Sequence, residues 1–135
     1  MSSTRAREAR LIHHVSLGTN DPHRARTFYD RVMPIIGFRL MQASDRSVDY
    51  GIGDIVFSLE TPIDGHSATP GNGAHVAFQA RSRDMVRDFY NAAVQAGGES
   101  DGKPGLRPEY DANYFGAFVR DPDGNKIEAV TYSAD

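Results

Sequence analysis

Two histidines and one glutamate are the residues of this chain best placed to do chemistry together. His14 opens the run His14-Val15-Ser16-Leu17, which is followed by Phe28-Tyr29 and then Gly37. His75 opens His75-Val76-Ala77-Phe78, followed by Phe89-Tyr90 and then Gly97-Gly98. In each run 14 residues separate the histidine from the aromatic pair, and the period is 61 residues, from His14 to His75. Self-similarity of this kind means two copies of one supersecondary unit, each opening with a histidine on a strand. Histidines in equivalent places of two paired units can meet at one site. The carboxylate is Glu128, at the end of Asp121-Pro122-Asp123-Gly124-Asn125-Lys126-Ile127-Glu128. Neutral imidazole and carboxylate suit a divalent metal such as Zn, Fe, Mn or Ni, and three protein ligands leave positions open for substrate or water. A metal centre is therefore the leading expectation.

The bulk properties narrow the alternatives. A length of 135 residues fits one domain with a real core. With 39% apolar and 24% charged residues, the composition is that of an ordinary soluble protein. The formal charge of −3 supplies no basic field, so nucleic acid is not an expected partner. The absence of cysteine excludes disulfides, thiolate metal sites and a cysteine nucleophile. No apolar run is long enough to span a bilayer, so no membrane partner is expected and the cytoplasm is the expected location. Residues 1–10 carry Arg5, Arg7 and Arg10 without a following apolar segment and read as an N-terminal extension, not a secretory signal.

These residues need elements to hold them. Residues 11–18 alternate as a strand, which would put His13 and His14 on opposite faces. Asp21-Pro22 caps a helix with Ala25, Phe28, Tyr29, Val32 and Ile36 at helical spacing, which Pro34 should end or kink near Met33. Strands follow at 38–43, 47–52 and 54–60, then a linker rich in turn residues. The second unit begins with a strand at 74–80. A helix capped by Ser82 follows and stops at Gly97-Gly98. From Gly102 the chain reads as an irregular loop, before strands at about 113–120 and 125–132 joined by the Asp121–Gly124 turn, whose acids serve the turn. Both units thus have the order βαβββ. Alternation places His14, His75 and Glu128 on the less apolar faces of their strands, and helices would cover the other faces. His23 and His66 fall at a helix start and in the linker and are read as surface residues.

This paired βαβββ pattern, with its two opening histidines and the Asp121 to Glu128 segment, resembles the vicinal oxygen chelate superfamily. That group includes glyoxalase I, bleomycin-binding proteins, extradiol dioxygenases and fosfomycin-resistance proteins. The resemblance covers residues 11–132. It implies an α+β fold of two paired βαβββ modules forming a single glyoxalase-like domain over 11–135, with module 1 at about 11–62, a linker at 63–73 and module 2 at about 74–132. It further implies that His14, His75 and Glu128 bind a divalent metal, with Glu128 as the catalytic residue. A homodimer is also implied, because the metal in such proteins commonly lies between units of two chains. The expected function is that of a metal-dependent lyase, isomerase or dioxygenase acting on a small oxygen-rich molecule. The alternative is a metal-free sequestering protein of the bleomycin-resistance type.

Individual activities fit less completely. Glyoxalase I takes a fourth ligand from the last strand of the first unit. Counting from Gly53 as from Gly124 puts Phe57 in that place, with Glu60 three positions on and facing away unless a bulge intervenes. Fosfomycin-modifying and extradiol enzymes tend to have a tyrosine ten residues before the terminal glutamate, and here that residue is Phe118. Four further residues are candidates for substrate contact. Arg107 can clamp an anionic group through its planar fork, and Tyr50, Tyr110 and Tyr114 can donate hydrogen bonds or act as general acids.

Overall fold

The computed structural model describes residues 11–135; the extension at 1–10 lies outside the described residues. Module 1 consists of β1 (Val15–Gly18), α1 (Pro22–Ile36), β2 (Arg39–Ala43), β3 (Ser47–Ile52) and β4 (Asp54–Glu60). Module 2 repeats it as β5 (His75–Gln79), α2 (Arg83–Gln95), β6 (Glu99–Leu106), β7 (Phe115–Arg120) and β8 (Lys126–Thr131). The sheets have matching orders, β1-β4-β3-β2 and β5-β8-β7-β6. In each, the first strand runs parallel to the last, and the others pair antiparallel. The chain therefore has two four-stranded mixed sheets in paired βαβββ units.

Local chemistry explains the helix ends. Asp21 caps α1 by accepting from the Arg24 N–H, and Pro22 fits the first turn, where no intrahelical donor is needed. The helix does not end near Met33 but runs through Pro34 to Ile36. Pro34 lies in the last turn, where it removes one backbone bond while Ile36 is still buried in the core. Gly37, at φ 106°, then closes the helix with its N–H shared between the carbonyls of Met33 and Pro34.

The segment expected to be irregular is the strand β6. Its pairing with β7 shifts register twice, between Ser100 and Gly102 and again between Gly102 and Gly105. β6 is an edge strand, so Pro104 costs no inner ladder bond. Gly102, at φ 157°, sits where a side chain would strike the Phe118 ring.

One continuous core lies between the helices and the sheets. It includes Phe28, Tyr29, Val32 and Met33 of α1, Val86 and Phe89 of α2, and Phe57 and Ile127 of the sheets. Burying each large apolar side chain contributes roughly 1.5–3 kcal/mol. Phe57 and Phe78 meet edge to face across the modules, with ring centroids 5.0 Å apart. A polar clip completes the union. The buried Tyr29 hydroxyl donates to Asp121 (2.6 Å), Thr19 donates to Asp123 (2.6 Å), and the Asn125 amide donates to the Gly18 carbonyl (2.9 Å). Asp121 also accepts from the N–H groups of Asp123 and Asn125, so it builds the turn and joins it to α1. Among the described residues no helix is long and apolar enough to cross a membrane.

Candidate functional site

Strand alternation builds the first cluster. In β8, Ile127 and Ala129 enter the core, which turns Glu128 to the opposite face. There it stands across from Phe118 of β7 and beside Ala77 of β5. Glu128 is only 1% exposed. One of its oxygens lies 3.2 Å from His75 Nε2, and the other accepts a hydrogen bond from the Tyr114 hydroxyl. Gly116 permits this, because a Cβ there would lie 3.0 Å from the Glu128 Oε2 and 3.1 Å from the Tyr114 ring. Burial, and then the hydrogen bond to Glu128, push the Tyr114 phenol well above its ordinary value, so it stays a donor.

A cleft of about 350 Å³ opens over this cluster, lined by His75, Tyr110, Tyr114, Phe118, Lys126 and Glu128. Tyr110 and Tyr114 pack edge to face at 5.0 Å, giving the cleft an aromatic wall. The Lys126 ammonium lies 5.1 Å from the Phe118 ring centre and the Arg107 guanidinium 5.5 Å from it. Arg107 also donates to the Lys103 carbonyl at 2.7 Å. The cleft therefore offers an imidazole, a fixed carboxylate, two cations at or near its edge and flat apolar surface.

His14 stands on the corresponding face of module 1, at a separate cleft of about 550 Å³ shared with His13, Asp49, Asp54, Ser58 and Glu60. His13 and His14 do not point apart. Their Nδ1 atoms lie 2.9 Å from each other, because pairing with β4 begins only at Val15 and no pleat governs the residues before it. The fourth-ligand position also moves by one residue. Ala77 pairs with Glu128, and its repeat counterpart Ser16 pairs with Ser58, so Ser58 and not Phe57 matches Glu128. A register shift between Tyr50 and Gly51, with Tyr50 opposite Phe57 and Gly51 opposite Ile55, spoils the count from Gly53. Phe57 is in the core, as Ile127 is. Glu60 has the parity of Ser58 and lines the His14 cleft.

Of the residues singled out in the sequence, His75, Glu128, Tyr114 and Tyr110 come together, with Arg107 beside Phe118. Tyr50 lies elsewhere, in the core beneath α1, donating to Asp30 at 2.8 Å, with its phenol raised by burial and by that carboxylate. Among the charged residues of the clefts, Asp54 escaped the sequence reading, and so did Lys126 and Asp49. The latter two were open to the alternation argument: Lys126 is two positions from Glu128, and Asp49 stands between the core residues Val48 and Tyr50. Within one chain, the described residues bring together no group of three or more His, Asp or Glu able to hold a metal. The His75–Glu128 pair fits a metal as a partial donor set: a half-exposed imidazole and a buried carboxylate whose second oxygen is already bonded.

Comparison with known proteins agrees with this architecture. The family model of the Glyoxalase/Bleomycin resistance protein/Dioxygenase superfamily matches residues 11–129. A glyoxalase/bleomycin resistance protein from Albidiferax ferrireducens T118 is similar at 34% identity and a TM-score of 0.82, over 90% of this chain and 98% of that one. A glyoxalase-related enzyme from Fulvimarina pelagi shares 20% identity and a TM-score of 0.71, over 90% and 87% of the two chains. A glyoxalase/bleomycin resistance protein/dioxygenase family enzyme from Burkholderia phytofirmans PsJN shares 18% identity and a TM-score of 0.71, over 90% and 98%. The last two likenesses concern the fold. No curated protein matches the chain.

Proposed function

We propose, from the premise that this chain belongs to the Glyoxalase/Bleomycin resistance protein/Dioxygenase superfamily, that it is a divalent-metal-dependent enzyme acting on a small oxygen-rich molecule. The observation that carries the reading is the His75–Glu128 pair, a carboxylate 1% exposed and oriented by Tyr114 at the floor of a cleft. A carboxylate so buried needs an electrophile or donors at both oxygens. His75 and Glu128 would hold Zn, Fe, Mn or Ni, and His14 of the partner subunit would complete the set in a homodimer. The split of the histidines over two clefts in one chain supports that arrangement. A bound divalent ion would polarise substrate oxygens and stabilise negative charge on them.

The chain's own residues then divide the work. Tyr114 donates to one carboxylate oxygen of Glu128 and holds the other facing His75 Nε2 at 3.2 Å, where a ligand would meet both side chains. Tyr110 and Phe118 offer flat surface to a ligand. Lys126 and Arg107 bring positive charge to an anionic oxygen or carboxylate. The same aromatic wall would serve a metal-free sequestering protein, which is the second reading.

Metal content by mass spectrometry, on protein purified without an affinity tag, decides between them. Near-stoichiometric metal in the parent, lost in Glu128→Gln, is the expected result. Little metal in the parent and no tight uptake of added Fe(II), Zn, Mn or Ni would overturn the metalloenzyme and favour the sequestering protein.

A further inference from the structure

We propose that Asp49 is the acid which module 1 brings to the shared site, binding the cation together with His14, since the β4 position that matches Glu128 is a serine. The inference rests on the metal-dependent reading above. The position on β4 that corresponds to Glu128 is Ser58, a residue that brings no charge. One strand across, Asp49 is the cross-strand partner of Ser58, in the place that Phe118 holds beside Glu128. Within this cross-strand row the acid stands on β3, where module 2 has its acid on β8.

The surroundings of Asp49 are those of a ligand and not of a structural acid. Val48 and Tyr50 enter the core on either side, so Asp49 faces the His14 cleft. It is 8% exposed, and it makes no side-chain hydrogen bond or ion pair with another described residue. Other carboxylates of the molecule that are equally buried, Asp121 and Glu128, each have donors. The Asp49 oxygens keep their contact with solvent on the cleft side alone, where a cation would take the place of that water. The one direction from which Asp49 can be satisfied is the cleft, where His14 also stands. An imidazole and a hard anionic oxygen in one cleft are donors for Zn, Fe(II), Mn or Ni.

Titration calorimetry of metal-stripped protein with Zn(II) or Mn(II), beside thermal unfolding without metal, tests this. Asp49→Asn is expected to weaken metal binding about 10- to 100-fold, the range seen when groups around a metal site are lost. Glu60→Gln, which removes a more exposed charge from the same cleft, is expected to change affinity less than threefold, roughly the effect of a screened surface charge. Without metal, Asp49→Asn should unfold at the same temperature as the parent or higher, since it removes a charge that no hydrogen bond or ion pair with another described residue stabilises. Parent-like metal binding in Asp49→Asn, with binding lost in His75→Ala, would overturn the role of Asp49 and leave the metal site standing. Equal losses in Asp49→Asn and Glu60→Gln would also overturn it, because a general acidic field would then suffice. A lower unfolding temperature of metal-free Asp49→Asn would show a structural acid instead. Failure of the parent itself to bind either metal would remove the metal-dependent reading, and this inference with it.

Discussion

Replacing Tyr114 by phenylalanine removes a single oxygen from the molecule, and the structure lets the consequence be worked out. The Tyr114 hydroxyl donates to the Glu128 Oε2, while the other oxygen faces His75 Nε2 at 3.2 Å. Glu128 is 1% exposed, so water cannot readily take the place of the lost donor. Hydrogen bonds to charged groups contribute about 1.5–3 kcal/mol to stability. Tyr114 itself is only partly buried, which favours the lower end, about 1.5 kcal/mol. For a domain of this size that corresponds to a fall of roughly 5 °C in unfolding temperature. The same bond fixes the carboxylate for a ligand, so metal affinity should fall about 10-fold, at the weak end of the range for groups that orient metal ligands. Urea unfolding of metal-free protein measures the first effect, and metal titration the second. Tyr110→Phe is the control, because Tyr110 lies on the same wall but its hydroxyl bonds to no described residue. If Tyr114→Phe and Tyr110→Phe both stay within about 0.5 kcal/mol of the parent, the range of an ordinary surface change, the Tyr114–Glu128 bond contributes nothing and the reasoning is refuted.

Two other predictions concern the body of the fold. Asp121→Ala should destabilise the protein by about 3 kcal/mol, because it strands the Tyr29 hydroxyl and the backbone donors of Asp123 and Asn125; a change below about 0.5 kcal/mol in urea unfolding would refute the clip. Stability should also fall at alkaline pH. Burial first, and then neighbouring carboxylates, raise the phenols of Tyr29, Tyr50 and Tyr114 above their ordinary value. A raised phenol contributes stability that is complete below the unfolded value near pH 10 and is lost as pH rises toward the folded one, since the unfolded chain releases its protons first. Ultraviolet titration of the six tyrosines should therefore show three ionising only as the chain unfolds, and ionisation of all six in the folded state would contradict the burial argument.

Much of the fold was legible because it rests on local chemistry. The Asp21-Pro22 and Ser82 caps, the Gly97 stop and the Asp121–Gly124 turn all act where the sequence placed them. The two misjudged elements share a cause. Pro34 inside α1 and Pro104 inside β6 both carry strong local signals against regular structure. In each case tertiary position overrides the signal: Ile36 still has a core to enter, and β6 has an open edge where the missing donor is not needed. Local preference cannot report either condition.

The site was legible to the extent that it is periodic. His75 and Glu128 follow from the repeat and from alternation, and both survive in one cluster because β5 and β8 are paired along their whole length without a register shift. The module 1 counterpart was misread for the opposite reason. A single register shift between β3 and β4 displaced the count by one residue, which hid Ser58 behind Phe57 and left Asp49 unnoticed. The two faces are consequently unequal despite the repeat. Module 2 presents a fixed carboxylate, an aromatic wall and the cations Lys126 and Arg107, whereas module 1 presents Asp49, Asp54 and Glu60 around a histidine pair. Faces so different in charge are complementary to each other and not to themselves. In the proposed homodimer this favours module 1 of one protomer opposite module 2 of its partner, the one pairing that unites His14 with His75 and Glu128.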